Sequence, residues 1–467
     1  MVSIQTTDIP GLLLLELPVH GDNRGWFKEN WQRAKMVAAG LPDLGPVQNN
    51  ISFNAAPGTT RGIHAEPWDK YVSVATGKIF GAWVDLREGD TFGAVVTAEI
   101  TPGQAVFVPR GVGNSFQTLE PDTAYTYLVN DHWSAAAQDQ YTFLNLADET
   151  ANIAWPVPLE KAELSDKDRA HPRLDQVEPM PPAPILVLGA GGQLGKALVA
   201  AAAAAGIPME AHDRTTWDLT DPETWPREHF RGLRAVINAS AMTAVDDAET
   251  PEGRSRAWQL NASAVAELAR RCHAASVPLA HVSTDYVFDG ALPVGQEYST
   301  DAALAPLSVY GQSKAAGEAA VATLDRHWTV RTSWVIGEGK NFVATMRSLA
   351  ERGIDPAVVN DQHGRLTFAE DLAAALLHLV TNEAPYGTYH MTNAGDAVTW
   401  FDVARWVFAD CGHDSDRVSA TTTAAFTAGK AAIAPRPVNS ALDLSALAAA
   451  GFEIPEARRR LREYLAR

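Results

Sequence analysis

The sequence has few cysteines, few basic residues relative to acidic ones, and no long apolar run. Cys272 and Cys411 are the only cysteines among 467 residues, which argues against a disulfide framework and fits a reducing, cytoplasmic location. Lys and Arg number 38 against 56 Asp and Glu, a formal charge of −18. Because nucleic-acid binding needs clustered basic side chains, we expect no nucleic-acid partner. The start, MVSIQTTDIPGLLLLELP, has no basic segment and only a short apolar run, so we expect no signal peptide and no membrane partner.

The residues that are present divide into two parts with different patterns. From about Ile4 to Pro158, short apolar and β-branched runs alternate with Gly and Pro turns, which predicts an antiparallel sandwich or barrel. After Pro184, apolar strands such as ILVLGA and AVINASA alternate with Ala-rich helical stretches, as in a parallel α/β sheet. The polar, proline-rich stretch from Asp168 to Pro184 is predicted to be a linker. The expected boundaries are 1–175 for the first domain, 184–467 for the second, and 334–467 for most of its substrate-binding part.

A glycine-rich turn follows the first strand of the second domain. Gly189, Gly192 and Gly195 are evenly spaced in GAGGQLG, which lies between the strand ILVL and an Ala-rich helix. Glycines there let the backbone turn tightly and bring helix-start amides against a pyrophosphate. Asp213 and Arg214 fall near the end of the second strand, where an acid would bind a ribose diol and a guanidinium a 2′-phosphate. NADH and NADPH therefore both stay open, and the pair also fits a solvated turn.

Three further residues have the chemistry of a ketone reductase. Tyr310 and Lys314 are four residues apart in a helical stretch, so both side chains lie on one face. The ammonium would lower the pKa of the phenol and anchor the nicotinamide ribose. Thr284, in the strand-end word STDYVFDG, would polarise the carbonyl while Tyr310 donates the proton.

Eight words in the second domain carry a family resemblance: GAGGQLG, DLTDPE, VINASAMTAVDDAE, STDYVFDG, VYGQSKAAGE, RTSWVIG, VVNDQHG and RPVNSALD. They resemble the dTDP-4-dehydrorhamnose reductases, extended short-chain dehydrogenases/reductases with a Rossmann fold. The resemblance implies reduction of the sugar C4 ketone by NADPH or NADH, with Thr284, Tyr310 and Lys314 catalytic. It implies further cofactor contacts at Gln193, Leu194, Asp218, Ala239, Ser240 and Thr243. Sugar contacts are implied at Asp285, Tyr286 and Trp334, and Trp334 also fits simple core packing. A nucleotide-sugar epimerase with retained NAD is the rival interpretation.

The first domain contains the words DNRGWFKENW, TRGIHAEPWDKYVSVATG and LSDKDRAHP. They resemble the dTDP-4-dehydrorhamnose 3,5-epimerases, which have a cupin-like jelly roll. The resemblance implies that His64 removes the C3 and C5 protons, that Asp168 orients its imidazole, that Tyr127 is the acid and that Lys70 stabilises the enolate. It also implies a homodimer through this domain and nucleotide or phosphate contacts at Arg24, Glu29, Gln48, Asn50 and Arg61. His64 taken alone equally fits a satisfied core histidine.

Two positions depart from the epimerase pattern, with Asn114 in place of a histidine and Trp133 where a tyrosine is frequent. Because the proposed base and acid are both present, we expect a bifunctional enzyme. It would epimerise dTDP-4-dehydro-6-deoxyglucose at C3 and C5 and then reduce the C4 ketone. The alternative is a reductase joined to a cupin that is non-catalytic or acts at C3 or C5 alone. No metal site is predicted, and a Mg²⁺ requirement and the choice between dTDP and UDP stay open.

Overall fold

The computed structural model describes residues 2–132, 138, 140–225, 230, 232–430 and 433–467, so Trp133 lies outside the described residues. The chain divides into two compact units, Met1–Pro182 and Ala183–Arg467. Across the described ranges, no helix has both the length and the apolar character needed to cross a bilayer.

The first unit is an all-β jelly roll, which confirms the predicted fold. Its strands are β1 (Ser3–Thr6), β2 (Leu13–Glu16), β3 (Val19–Asp22), β4 (Gly25–Lys28), β5 (Gln48–Asn54), β6 (Thr60–Ala65), β7 (Lys70–Thr76), β8 (Ile79–Asp85), β9 (Val95–Ile100), β10 (Gln104–Val108), β11 (Val112–Thr118), β12 (Thr123–Val129) and β13 (Thr142–Phe143). Its helices are α1 (Arg33–Ala38) and α2 (Asp166–Arg169). One sheet has the order β1-β2-β10-β7-β12-β5, the other β13-β6-β11-β8-β9, and β3 and β4 form a separate hairpin.

The core of this unit lies between the two sheets. In β7, Val72 and Val74 point to the same face because strand side chains alternate, and both are fully buried. They pack against Trp83 of β8 and Phe116 of β11 from the facing sheet. Polar residues interrupt the apolar layer along β6, β7 and β12, and that interruption opens the cavity described below.

The segment predicted to be a linker packs largely with the first unit, which as a compact unit extends to Pro182. Asp168 lies in α2, Leu174 is buried, and Met180 is buried and bridges to Arg87 beside β8. A proline-rich chain has few backbone donors, but it can still lie extended on a sheet edge where apolar side chains find surface to cover. The compact unit therefore extends past residue 175 to Pro182.

The second unit contains the predicted Rossmann-type α/β sheet. Its strands are β14 (Ile185–Leu188), β15 (Met209–His212), β16 (Ala235–Asn238), β17 (Leu279–Thr284), β18 (His327–Thr332), β19 (Val335–Ile336), β20 (Ala357–Val359), β21 (His363–Gly364), β22 (Thr367–Phe368), β23 (Gly387–His390), β24 (Val398–Thr399) and β25 (Ser419–Thr421). Its α-helices are α3 (Gln193–Ala204), α4 (Pro251–Trp258), α5 (Ala264–Ala274), α6 (Val309–Val321), α7 (Phe342–Glu351), α8 (Ala369–Thr381), α9 (Trp400–Asp410), α10 (Thr423–Thr427), α11 (Ser445–Ala449) and α12 (Ala457–Leu465). A π-helical turn, Gln259–Ser263, joins α4 to α5.

Six of these strands form one parallel sheet in the order β15-β14-β16-β17-β18-β23. Successive residues of β14 face opposite sides: Ile185 and Val187 pack with α3 and α8, whereas Leu186 and Leu188 pack with α5. Both faces are covered, which explains why the strand is apolar throughout. The strand order reverses between β14 and β16, and ligands of such sheets bind at this switch point.

A smaller cluster of elements lies beyond β18, as predicted. Strands β19 to β22, β24 and β25 form two-stranded pairs, and α7, α9 and α12 share a core around Val343, Val407 and Leu461. The range 334–467 is not wholly a substrate subdomain, because α8 packs on α3 and β23 extends the large sheet.

Candidate functional site

The glycine turn after β14 is shaped by close backbone approaches. A Cβ on Gly189, whose φ is +92°, would lie 2.7 Å from Ser240 Oγ and 2.8 Å from its backbone nitrogen. A Cβ on Gly195 would collide with the carbonyl oxygen of Gly189. Gly192 is the N-cap of α3, so the first amides of that helix are free of side-chain capping. The turn therefore brings a helix N-terminus to the switch point, as a pyrophosphate site requires.

A cleft of about 790 Å³ opens above this turn. Asp213 and Arg214 both line it, so this geometry leaves the coenzyme choice open. Asp213 Oδ1 accepts hydrogen bonds from the backbone and hydroxyl of Thr215 at 2.9 and 2.6 Å. These bonds lower the pKa of the exposed Asp213 carboxyl, which stays ionised and faces Gly191.

The other predicted cofactor residues fall into two groups. Asp218, Ala239 and Ser240 line the cleft, together with Gly189 and Gly192. The remaining three do not: Gln193 donates its amide to Lys340 O at 3.0 Å, Leu194 is buried in the core below the sheet, and Thr243 is exposed outside the cleft lining. Gln193 and Leu194 can contact a cofactor only through the backbone of the first helical turn.

Thr284 and Tyr310 meet at the carboxyl end of β17. Thr284 is the last residue of that strand, and Tyr310 lies in the first turn of α6, whose N-cap is Ser308. Burial raises the pKa of Tyr310 to about 12, and a hydrogen bond with Thr284 opposes the rise. The phenol is therefore protonated at neutral pH and can donate a proton.

Lys314 lies one turn further along α6 and is almost completely buried. Its Nζ donates to Val282 O at 2.6 Å and lies 3.2 Å from His281 Nε2, both residues of β17. Burial lowers the pKa of Lys314 to about 8. The structure thus brings all three predicted catalytic residues of this unit to the carboxyl-terminal part of β17, in the same sheet as the strand that precedes the glycine turn.

The predicted sugar contacts are placed less uniformly. Asp285 is 3% exposed and accepts the hydroxyl of Thr284 at 2.9 Å, and burial raises its pKa to about 6. Tyr286 stands edge-on to the Tyr310 ring at 5.5 Å. Trp334 stacks on Trp400 at 3.8 Å and is not among the cleft-lining residues, so its packing role is the one visible here.

The sequence analysis assigned no role to Arg436. Its guanidinium pairs with both carboxylate oxygens of Asp246 and interacts with Tyr286. The pair joins the RPVNSALD segment to the segment that follows β16, next to the strand end that carries Thr284. The word RPVNSALD could have marked Arg436 as a candidate site residue, but no sequence spacing predicts its contact with Asp246.

In the first unit, a cavity of about 570 Å³ lies between the two sheets. His64 of β6 reaches it, and its Nε2 lies 3.0 Å from Asp168 Oδ1 of α2. Burial raises the pKa of Asp168, but the hydrogen bond and charge of His64 outweigh it and the net pKa is lowered. Ser165 caps α2 through the Asp168 backbone amide and so positions the carboxylate.

Lys70 and Tyr127 also line this cavity, and Glu66 is a neighbour that the sequence analysis missed. Lys70 Nζ pairs with Glu66 Oε1 at 2.7 Å and lies 5.8 Å from the Tyr127 ring centroid. Burial and the charge of Glu66 raise the pKa of Tyr127, against the opposing effect of Arg61. Tyr127 is therefore protonated at neutral pH, as an acid must be.

Asn114 takes the place of the histidine expected from the family resemblance. Its Oδ1 accepts hydrogen bonds from Trp83 Nε1 at 2.9 Å and from the Tyr125 hydroxyl at 3.1 Å. Two neighbouring side chains thus satisfy the Asn114 carbonyl oxygen.

The predicted nucleotide contacts divide by position. Arg61 lines the cavity and donates to Asn54 Oδ1 at 3.1 Å. Arg24 is exposed in the β3–β4 hairpin and pairs with Asp22, and Glu29 just beyond it pairs with Lys35. Gln48 and Asn50 lie on the edge strand β5, hydrogen-bonded to each other at 2.8 Å. The structure does not bring these last four residues to the cavity of their own chain.

Comparison with known proteins assigns each unit to a family. The model of the RmlD substrate binding domain matches residues 183–467, which is more than half of the chain. The model of dTDP-4-dehydrorhamnose 3,5-epimerase matches residues 6–176.

Individual relatives agree with these matches. The chain is 51% identical to Protein RmlC homolog of Streptococcus pyogenes over 180 residues, which covers 38% of this chain and 90% of that protein. It is 42% identical to dTDP-4-dehydrorhamnose reductase of Mycobacterium tuberculosis over 273 residues, 57% of this chain and 87% of that protein. The crystal structure of dTDP-4-dehydrorhamnose reductase from Bacillus anthracis in complex with NADP is 31% identical, with a TM-score of 0.55, and covers 61% of this chain and 98% of that chain.

Proposed function

Since the chain belongs to the dTDP-4-dehydrorhamnose 3,5-epimerase family through its first unit and to the RmlD family through its second, we propose that it catalyses two consecutive steps of dTDP-L-rhamnose synthesis. The first is epimerisation of dTDP-4-dehydro-6-deoxyglucose, and the second is reduction of the resulting 4-ketone. The observation that supports the proposal is that the first unit gathers acid and base groups around one cavity, while the second unit brings Thr284, Tyr310 and Lys314 together at the carboxyl-terminal part of β17. Reduction is strongly downhill, so it draws the near-reversible epimerisation forward.

The second unit is the reductase. NADPH is the proposed coenzyme, because the similar Bacillus anthracis reductase was solved with NADP and Arg214 offers a guanidinium for a 2′-phosphate. When bound, it supplies the hydride that adds to C4. Tyr310 gives its phenolic proton to the ketone oxygen, Thr284 polarises that oxygen, and the Lys314 ammonium holds the ribose. The Thr284 hydroxyl donates to Asp285 in the structure, so it turns to the ketone oxygen when the sugar binds, and Asp285 positions Thr284 until then in addition to its proposed sugar contact.

The first unit is the epimerase. The C4 ketone makes the protons at C3 and C5 acidic, and His64 removes them in turn while Asp168 stabilises the resulting imidazolium. Lys70 stabilises the enolate oxygen, and Tyr127 returns a proton from the opposite face of the sugar. Arg61 lies in the same cavity and binds the diphosphate.

We also propose that two copies associate through the first unit. Phe27, Ile51 and Phe53 are 69%, 69% and 61% exposed, on the hairpin and on the unpaired edge of β5. Exposed apolar side chains along a free strand edge are typical of an interface. Arg24 and Glu29, two of the nucleotide contacts that miss their own cavity, lie in or next to the hairpin that carries Phe27, so a second copy would receive them. Sedimentation should show a dimer that F27D together with I51D converts to monomer, and a monomeric wild type at micromolar concentration would overturn the proposal.

The two activities can be separated in one experiment. In D₂O, dTDP-4-dehydro-6-deoxyglucose with NADPH should give dTDP-L-rhamnose carrying deuterium at C3 and C5, identified by NMR. H64N should abolish both deuterium uptake and product, yet still oxidise NADPH when supplied with dTDP-4-dehydrorhamnose. Y310F should do the reverse: it should exchange both protons but reduce the ketone about 10²–10⁴-fold more slowly.

Each alternative has its own outcome. Deuterium at a single carbon would establish an epimerase restricted to C3 or C5. Unchanged product formation by H64N would refute the epimerase proposal and leave a reductase alone. The low cysteine content and the nucleotide-sugar substrate further support a cytoplasmic location, which we include in the proposal.

A further inference from the structure

A second histidine stands beside the proposed catalytic dyad of the epimerase cavity. His64, Asp168 and His171 each present one ligand atom, and the three atoms lie within 4.8 Å of one another. Asp168 Oδ1 is 3.0 Å from His64 Nε2 and 3.9 Å from His171 Nε2. His171 is not part of the proposed His64–Asp168 catalytic dyad.

His171 is buried, and no hydrogen bond of good geometry within the described residues explains its position. Its side chain is 6% exposed, and the Leu144 backbone is a polar neighbour of its ring, but within the described ranges neither ring nitrogen makes a hydrogen bond of good geometry. A buried imidazole without partners carries a desolvation cost, so its presence calls for an explanation. A bound cation would satisfy the nitrogen that faces Asp168.

The surroundings fix the three groups in place. His171 stacks on Phe143 at 4.7 Å and meets the His64 ring edge-on at 5.3 Å. Asn145 donates its amide to the carbonyl oxygens of Arg169 and His171 at 2.9 Å each, which holds the turn after α2. The three side chains are therefore held near one another before any ion arrives, and binding requires only that each shift by about an ångström or less.

We propose that His64, Asp168 and His171 bind a divalent transition-metal ion such as Zn²⁺, and that this ion inhibits the epimerase. Two imidazoles and a carboxylate are ligands that suit Zn²⁺, Co²⁺ or Ni²⁺, whereas Mg²⁺ prefers oxygen ligands alone. Bonds of about 2.0–2.2 Å in a tetrahedron keep ligand atoms roughly 3.3–3.5 Å apart, and the two measured separations lie on either side of this value. The fourth position would be open to water or substrate from the cavity.

Inhibition follows from the tautomer of His64. As the base, its Nε2–H donates to Asp168 and the lone pair of Nδ1 accepts the sugar proton. A metal bound to Nε2 uses the lone pair of Nε2. The ring proton then stays on Nδ1, so neither nitrogen can act as a base. This step rests on the proposed role of His64 as base, whereas the binding of the ion does not.

Binding is tested on the full chain with Co²⁺ and Zn²⁺. Co²⁺ should add one equivalent with visible d–d bands, and Zn²⁺ titrated by calorimetry should displace it. H171N should weaken Zn²⁺ binding by more than about 100-fold, and H64N should do the same while leaving the stacking of His171 on Phe143 in place. H273N, at an exposed histidine of α5, is the matched control and should bind as wild type does.

Activity gives a second, separate readout. Stoichiometric Zn²⁺ should stop deuterium uptake at C3 and C5 while NADPH oxidation with dTDP-4-dehydrorhamnose continues, and Mg²⁺ should affect neither. Binding in H171N and H64N equal to that in H273N would overturn the metal site and leave the role of His64 untouched. Histidine-dependent binding without inhibition would keep the site and refute His64 as the base.

Discussion

Helix α6, which carries Tyr310 and Lys314, is joined to strand β18 by a buried ion pair. Arg331 Nη2 lies 2.8 Å from Glu318 Oε2, and each side chain is 6% exposed. Arg331 Nε also donates to both carboxylate oxygens, at 3.0 and 3.2 Å, and its Nη1 donates to Thr300 O. E318Q keeps the shape of the side chain but leaves the guanidinium as a buried charge without a counter-ion.

The expected loss of stability is large for a single substitution. Removing one partner of a buried pair costs about 3–5 kcal/mol. A unit of this length has an unfolding entropy of about 0.6 kcal/mol per kelvin, so its midpoint should fall by roughly 5–8 °C. Differential scanning calorimetry of the full chain measures this shift, and the transition of the first unit should stay where it is.

The pair Arg347–Glu351 provides a matched control on the surface. Its side chains are 42% and 55% exposed along α7, and exposed helix pairs contribute about 0.3–0.5 kcal/mol. E351Q should therefore shift the midpoint by about 1 °C or less. A shift for E318Q no larger than that for E351Q would refute the assignment of the buried pair as the anchor of α6.

Two further predictions concern the cofactor. Burial lowers the pKa of Lys314 to about 8, so its ammonium form is present below that pH and lost above it. Because this charge holds the cofactor in the proposed mechanism, the Kd for NADPH should rise about tenfold per pH unit above 8. K314R should show no such rise, and a wild-type Kd that is flat from pH 7 to 10 would contradict the prediction. G195A places a Cβ against Gly189 O and Ala190, and such overpacking costs about 1–3 kcal/mol. NADPH binding should therefore weaken roughly tenfold or more. Deuterium uptake by the epimerase should be unchanged. Fluorescence titration with NADPH measures both effects, and unaltered binding by G195A would show that the turn tolerates a side chain.

The reductase site was predictable because its geometry is local. Tyr310 and Lys314 share a helix face by their four-residue spacing, and Thr284 lies at a strand end, where parallel sheets place their ligands. His281 had no such signal. It contacts Lys314 only because α6 packs across β17, and a contact of that kind depends on tertiary packing rather than on spacing.

The packing of the predicted linker segment was not predictable, for a different reason. Composition separates polar, proline-rich segments from apolar ones, but it cannot say whether such a segment finds a surface to cover. Leu174 and Met180 decide the matter, since burying each contributes roughly 1.5–3 kcal/mol against the entropy of ordering the chain. The presence of Leu174 and Met180 in this proline-rich stretch was the available signal for packing, because burying them favours an ordered segment despite its average polarity.

Asn114 bears on how much of the family's chemistry this cavity retains. Its amide accepts hydrogen bonds from Trp83 and Tyr125, and burial raises the pKa of Tyr125 above its usual value, so neither Asn114 nor Tyr125 exchanges protons near neutral pH. The other described ionisable side chains of the cavity, besides Arg61, are His64, Asp168 and Tyr127 together with Glu66, Lys70 and Glu163. Under the proposed mechanism a single imidazole serves both carbons, so one substitution at His64 should be enough to separate epimerisation from reduction.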